Sequence, residues 1–98
     1  MNDLPFTWDP RKAKANARKH GVSFEEAKSV FLDDSALLAP DPDHSVAEDR
    51  FVLLGVSSNL RLIVVCHCVR EPDDVIRLIS ARKASKPERD QYQARIRR

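Results

Sequence analysis

The sequence predicts an α+β fold with an N-terminal helical hairpin packed on a small antiparallel sheet and a C-terminal helix. Three observations carry this. Two segments with helix caps open the chain, three alternating apolar stretches separated by turn residues fill its second half, and one more capped segment closes it. No repeat or low-complexity tract interrupts that order, and 98 residues suit a single domain over residues 1–98.

Phe6-Thr7-Trp8 reads as a short extended piece. Asp9 then suits an N-cap and Pro10 the first helical position, where its missing N–H costs nothing. Lys12 to Lys19 is rich in helix formers, and Gly21 stands where a left-handed C-terminal cap belongs. Ser23 with Glu26 forms a capping box, and Val22 with Ala27 a hydrophobic staple. The second helix runs from Phe24 to Phe31, with Phe24, Ala27, Val30 and Phe31 on one face. Ala36 to Ala39 is a short apolar segment, and the prolines and aspartates of residues 40–44 make a loop. Strands follow at Arg50 to Ser57, Leu60 to Val69 and Val75 to about Ala81, the first two joined around Ser58-Asn59. Ser85 and Glu88 form a second capping box, which starts a helix through Gln91, Tyr92 and Ile96.

Composition excludes several classes. With 42% hydrophobic and 33% charged residues the chain is globular, and its longest apolar run, Leu62 to Cys66, is far short of a membrane span. The first five residues have no basic or apolar signal pattern, so a cytoplasmic protein is expected. The net charge of +2 conceals segregation. Arg11, Lys12, Lys14, Arg18 and Lys19 form a basic block. Six acids between Asp33 and Asp49 follow, and seven bases from Arg82 onward stand against Glu88 and Asp90. A local basic surface therefore fits on a nearly neutral molecule.

Strand alternation sorts the side chains that carry chemistry. Leu60, Leu62, Val64, Cys66 and Cys68 share the face expected to form the core, while Arg61, Ile63, Val65, His67 and Val69 share the other. Cys66 and Cys68 read as free thiols, since i,i+2 spacing gives poor disulfide geometry; the sharper alternative is a metal site with a histidine. Arg77 and Arg82 are five residues apart, so an unbroken strand aims them at opposite faces unless the strand end bends. His20 suits either a helix C-terminal cap or a general acid or base beside Arg18 and Lys19. His44 lies in the acidic loop, and Glu48 and Arg50 frame the entry to the first long strand, as a surface ion pair or as a carboxylate for proton transfer. Trp8 and Tyr92 suit either base stacking or the core.

Residues 6–10 (Phe-Thr-Trp-Asp-Pro), with Lys12-Ala13, Asn16, Lys19-His20-Gly21-Val22-Ser23-Phe24-Glu25-Glu26-Ala27 and Val30-Phe31, resemble the start of the BrnT toxins. The stretch from Ile76 to Ala84, with Glu88-Arg89 and Tyr92, resembles their C-terminal signature, and His44 with Glu48-Asp49-Arg50 falls between the two. The resemblance spans nearly the whole chain. It implies a RelE-like ribonuclease fold and the toxin of a type II toxin-antitoxin pair. The implied activity is endoribonuclease cleavage of RNA without a metal or other cofactor. The implied partner is a BrnA-like antitoxin of ribbon-helix-helix type, through which alone the toxin would meet DNA.

On that reading Arg82, and next Arg77, hold the phosphate by planar bidentate donation, and His20 or Glu48 handles the proton with Lys19 and Arg50 in support. Lys19, Lys83, Arg89 and Tyr92 are the expected RNA-binding residues. The competing expectation is a non-catalytic RNA-binding regulator that uses the same basic surface.

Overall fold

A computed structural model describes residues 5–41, 50–70 and 74–97. Along the chain run β1 (Phe6–Thr7), α1 (Pro10–His20), α2 (Phe24–Ser29), a 3-10 turn (Val30–Leu32), β2 (Leu37–Pro40), β3 (Arg50–Val56), β4 (Leu62–Arg70), β5 (Val75–Lys83) and α3 (Lys86–Ile96). The five strands form one sheet in the order β1-β5-β4-β3-β2. β2 to β5 pair antiparallel, but β1 runs parallel to β5, with Phe6 beside Ile76 and Thr7 beside Arg77. The sheet is thus mixed and not purely antiparallel. A two-residue strand is too short to show alternation, and its partner lies at the other end of the sequence.

The helix ends follow from the local sequence. Asp9 Oδ1 accepts the Arg11 N–H at 2.8 Å, and Gly21 closes α1 at φ 68. Ser23 Oγ caps α2 through the Glu26 N–H at 3.0 Å. Only half of the expected capping box forms there, because the Glu26 carboxylate is drawn across the fold to Arg61 and to Ser57 Oγ. Arg61 also donates to the Gly21 carbonyl at 3.0 Å, so a half-buried ion pair ties the junction of α1 and α2 to the β3–β4 turn. The hydrogen bond from Arg61, followed by that from Ser57, outweighs burial and holds the Glu26 pKa below its ordinary value. The helix predicted to reach Phe31 ends at Ser29 and tightens into the 3-10 turn. At α3 the Ser85–Glu88 capping box is complete.

The β3–β4 hairpin closes through Ser57 N–H to the Arg61 carbonyl at 2.9 Å and Leu60 N–H to the Ser57 carbonyl at 2.9 Å. Leu60 takes φ 60, the left-handed position of a three-residue hairpin loop that usually holds glycine or asparagine. Its side chain is 85% exposed, so Leu60 does not belong to the core face on which alternation places it.

The main core also lies on the opposite face from the one expected. Ile63 and Val65 from β4, with Leu53, Ile76, Leu78 and Ala81, pack under Val22, Phe24, Ala27 and Val30 of the helical layer. Leu62, Val64 and Leu54 instead meet Tyr92 and Ala84 in a second, smaller core beneath α3. β4 is central and covered on both sides, so both of its faces are apolar and periodicity alone does not rank them. His67 sits in the first core at 3% exposure, its ring 4.9 Å from that of Phe31 and its Nδ1 3.2 Å from the Val65 carbonyl. Desolvation lowers its pKa. Gly55 lets the helical layer approach β3 closely, since a Cβ there would stand a tight 3.0 Å from side-chain atoms of Val30, Asp33 and Ala36.

Asn16 fills the place that β1 leaves open beside β5. Its side-chain amide accepts the Ala81 N–H at 3.0 Å and donates to the Ala81 carbonyl at 2.8 Å and the Val22 carbonyl at 2.9 Å. A buried side chain thereby substitutes for the missing strand neighbour.

Candidate active site

Register builds the site row by row on the α3 side of the sheet. Leu37, Leu54, Val64 and Arg82 make one row and Ala39, Val52, Cys66 and Ser80 the next. In the third, Arg50, Cys68 and Arg77 lie across from one another, and the Asp41 N–H extends the row by bonding the Arg50 carbonyl at 2.9 Å. Tyr92 of α3, with Ala84 just before that helix, covers the first row. Beyond it the face opens into a cleft of about 320 Å³ lined by Asp41, Arg50, Val52, Val64, Cys66, Ile79, Ser80 and Arg82.

A β-bulge makes this possible. Cys66 pairs with Ser80 and His67 with Leu78, so Ile79 is an extra residue on β5. Ile76, Leu78 and Ala81 all point into the first core, which sends both Arg77 and Arg82 to the other face. Alternation on an unbroken strand would have separated them. Arg77 remains outside the cleft lining, on the far side of Cys68 from Arg50.

Arg82 is held by Glu88. Nη1 donates to Oε1 at 2.8 Å and Nη2 to Oε2 at 3.0 Å, and Nη1 also reaches the Lys83 carbonyl at 3.3 Å. The hydrogen bond from Arg82, against a smaller effect of burial, brings the Glu88 pKa down to about 2, and Glu88 raises that of Arg82 in return. The pair is partly exposed, so it contributes little stability and mainly orientation. Its end-on grip leaves the Nε–H and second Nη2–H edge of the guanidinium, which is the edge that fits two oxygens of a phosphate. Glu88 also accepts the Ser85 N–H at 2.8 Å, fixing the arginine to the start of α3.

Cys66 donates its thiol to Asp41 Oδ2 at 3.4 Å, and burial together with that carboxylate pushes its pKa up to about 11. It is a neutral donor near pH 7. Cys66 and Cys68 are both free thiols. His67, between them, projects to the opposite face.

Other expected site residues lie elsewhere. His20 ends α1, which packs Ala13 into the first core and runs along the edge of β5 at Asn16; His20 does not line the cleft. Lys19 is exposed on the same helix. Lys83 pairs with Ile63 and so lies on the other face from Arg82. Arg89 donates to the Ala84 carbonyl at 3.1 Å at the start of α3. Of the two places open to Tyr92, base stacking or the core, it takes the core: it is 6% exposed, and its hydroxyl donates to Asp33 Oδ2 at 2.6 Å. Burial and then the Asp33 hydrogen bond push its pKa up to about 12. Glu48 and His44 fall outside the described residues. Asp41, Cys66 and Ser80 were not singled out for the site by motif. Their only signal was register, which needs the bulge to be known.

Fold and site together define a class, a small α+β protein with an arginine-lined cleft on the half of a sheet face that its last helix leaves open. Residues 8–88 match the family described as the ribonuclease toxin, BrnT, of type II toxin-antitoxin systems, and the chain belongs to that family. It is similar to the Brucella abortus ribonuclease toxin BrnT, known from a 1.1 Å crystal structure, with 26% identity and a TM-score of 0.65 over 85% of this chain and 99% of that one. Among curated proteins none matches. The protein is therefore a ribonuclease toxin of a type II pair, and an antitoxin is its partner. Among the described residues no helix is long and apolar enough to cross a membrane.

Proposed function

We propose that the protein is a metal-independent endoribonuclease acting as one domain over residues 1–98 in the cytoplasm, with the cleft between Arg50 and Arg82 as its RNA site. The observation that carries this is the Arg82 guanidinium, which is gripped at one edge by Glu88 and keeps its other edge for a phosphodiester. Arg50 and Arg77 add positive charge from the same face, while Lys19, Lys83 and Arg89, which lie outside the cleft, contribute to RNA binding only through the protein's wider positive field. Metal-free cleavage places the charge of the phosphorane on arginines, each worth on the order of 10² to 10³ in rate. His20, lying away from the cleft, is a helix cap on this reading, and Glu48 borders the site beside Arg50 in sequence. The RelE-like description of the fold rests on two N-terminal helices over an antiparallel β3–β5 meander.

A BrnA-like ribbon-helix-helix antitoxin is the proposed partner, and DNA is met only through it. A cleft with two arginines suits an acidic segment of such a partner.

The test is cleavage of an in vitro transcript by purified protein in excess chelator, with Arg82→Ala as comparison. Cleavage by the wild type and a loss on the order of 10² to 10³ in the variant are expected. Bound but intact RNA with both proteins would instead support a non-catalytic binder.

A further inference from the structure

RNA cleavage without a metal requires a side chain to take the proton of the attacking 2′-hydroxyl, and in the described structure the cleft holds one carboxylate suited to that. Asp41 is 8% exposed, yet it lines the cleft with both arginines. Its position is fixed twice: its N–H bonds the Arg50 carbonyl at 2.9 Å, and its Oδ2 accepts the Cys66 thiol at 3.4 Å. Among the described residues, Arg50 from β3, Cys66 from β4 and Arg82 from β5, the last paired with Glu88 of α3, are the charged and titratable groups that line the cleft with it. The Cys66 thiol is a neutral hydrogen-bond donor to it. His20, the other candidate read from the sequence, does not line this cleft.

We propose that Asp41 is the general base of the RNA cleavage reaction, resting on the reading of the Arg50–Arg82 cleft as the RNA site. The Asp41 carboxylate takes the 2′-hydroxyl proton as the 2′-oxygen forms a bond to phosphorus. The bond from phosphorus to the 5′-oxygen breaks, and that oxygen leaves with a proton from solvent. The products are a 2′,3′-cyclic phosphate and a 5′-hydroxyl, and no water is consumed in the step. Arg82 and Arg50 offset the charge that builds on the non-bridging oxygens.

The experiment measures single-turnover cleavage of an end-labelled in vitro transcript, in chelator, by the wild type, Asp41→Asn and Arg82→Ala, with RNA affinity and circular dichroism in parallel. Asp41→Asn is expected to lose about 10² to 10⁴ in rate with RNA affinity nearly unchanged. It should also lose the acidic limb of the pH–rate profile that the wild type shows near the carboxylate range. An Asp41→Asn protein that cleaves within a few-fold of wild type while Arg82→Ala is inactive overturns the role of Asp41 and leaves the cleft standing. Full activity of Arg82→Ala overturns the cleft reading and this role with it. If Asp41→Asn does not fold, the wild type decides: a rate with no acidic limb, or products with 3′-hydroxyl ends, overturns the proposal.

Discussion

The two faces of the sheet are made by the same strands, alternate residue by alternate residue, yet they have opposite characters. The face under α1 and α2 is closed: Ile63 and Val65 are fully buried, and even its histidine, His67, is at 3% exposure. The face under α3 is covered by that helix in the row of Leu54 and Val64, and over the next two rows it carries Cys66, then Asp41, Arg50 and Arg77. The lesson is one of coverage. Two helical segments with a 3-10 turn span one face, whereas a single 11-residue helix spans part of the other, and the uncovered part is where charged side chains can remain solvated. The closed face supplies rigidity, and the open one uses it to hold two arginines at fixed spacing.

Breaking the closed face should have the largest effect on stability. Ile63→Ala removes a fully buried side chain and is expected to cost about 2 to 5 kcal/mol, read from urea unfolding. A cost under about 1 kcal/mol would mean that the two faces are not as unequal as they look. On the other face, Tyr92→Phe keeps the ring and removes the hydroxyl bond to Asp33. Burial works against that carboxylate, and the hydrogen bonds of Tyr92 and of the Val56 and Ser35 N–H groups outweigh it, leaving its pKa lowered. A loss of about 1 to 2 kcal/mol is expected, with the cleft arginines and RNA affinity unaffected.

The pH dependence separates the faces again. His67 has a folded pKa below its unfolded value, so the unfolded chain binds the proton first as pH falls. Stability should therefore decline below about pH 6.5 and level off once the folded-state pKa is passed. His67→Leu should flatten that segment of the urea-midpoint profile; an unchanged slope would remove His67 as its source. Glu26 and Glu88 act lower. Their pKa values are depressed, so their contribution is present above the ordinary glutamate range and is lost as pH falls from that range through their folded-state values, about 2 for Glu88.

The smallest change touches neither face. Leu60→Gly at the β3–β4 turn relieves a left-handed leucine that buries almost nothing, and should raise stability by up to about 1 kcal/mol with cleavage unchanged. A melting temperature below that of the wild type would show that Leu60 has contacts of value in the turn.

How much of this was legible in the chain varies by element. Asp9, Gly21, Ser85 and Glu88 act on their own neighbourhoods, and each caps the helix that its spacing indicates. Ser23 did so too, but its partner Glu26 went to Arg61, because a carboxylate facing a distant guanidinium gains more than one facing a nearby N–H. Arg82 and Arg50 were singled out by residue type and by family resemblance. Their meeting in one cleft, Tyr92 in the core and Asp41 beside both arginines were not readable from spacing.

The sequence by itself determined the order of elements, the helix termini and the family, since these rest on interactions within a few residues or on ordered motifs. Only the tertiary structure decided which face of β4 became the main core, that β1 joined parallel to β5, and that the extra Ile79 turned Arg77 and Arg82 to one side. Those outcomes depend on which helix covers which strand. A strand that is apolar on both faces carries no mark of that choice, and a single inserted residue reverses the facing of everything beyond it.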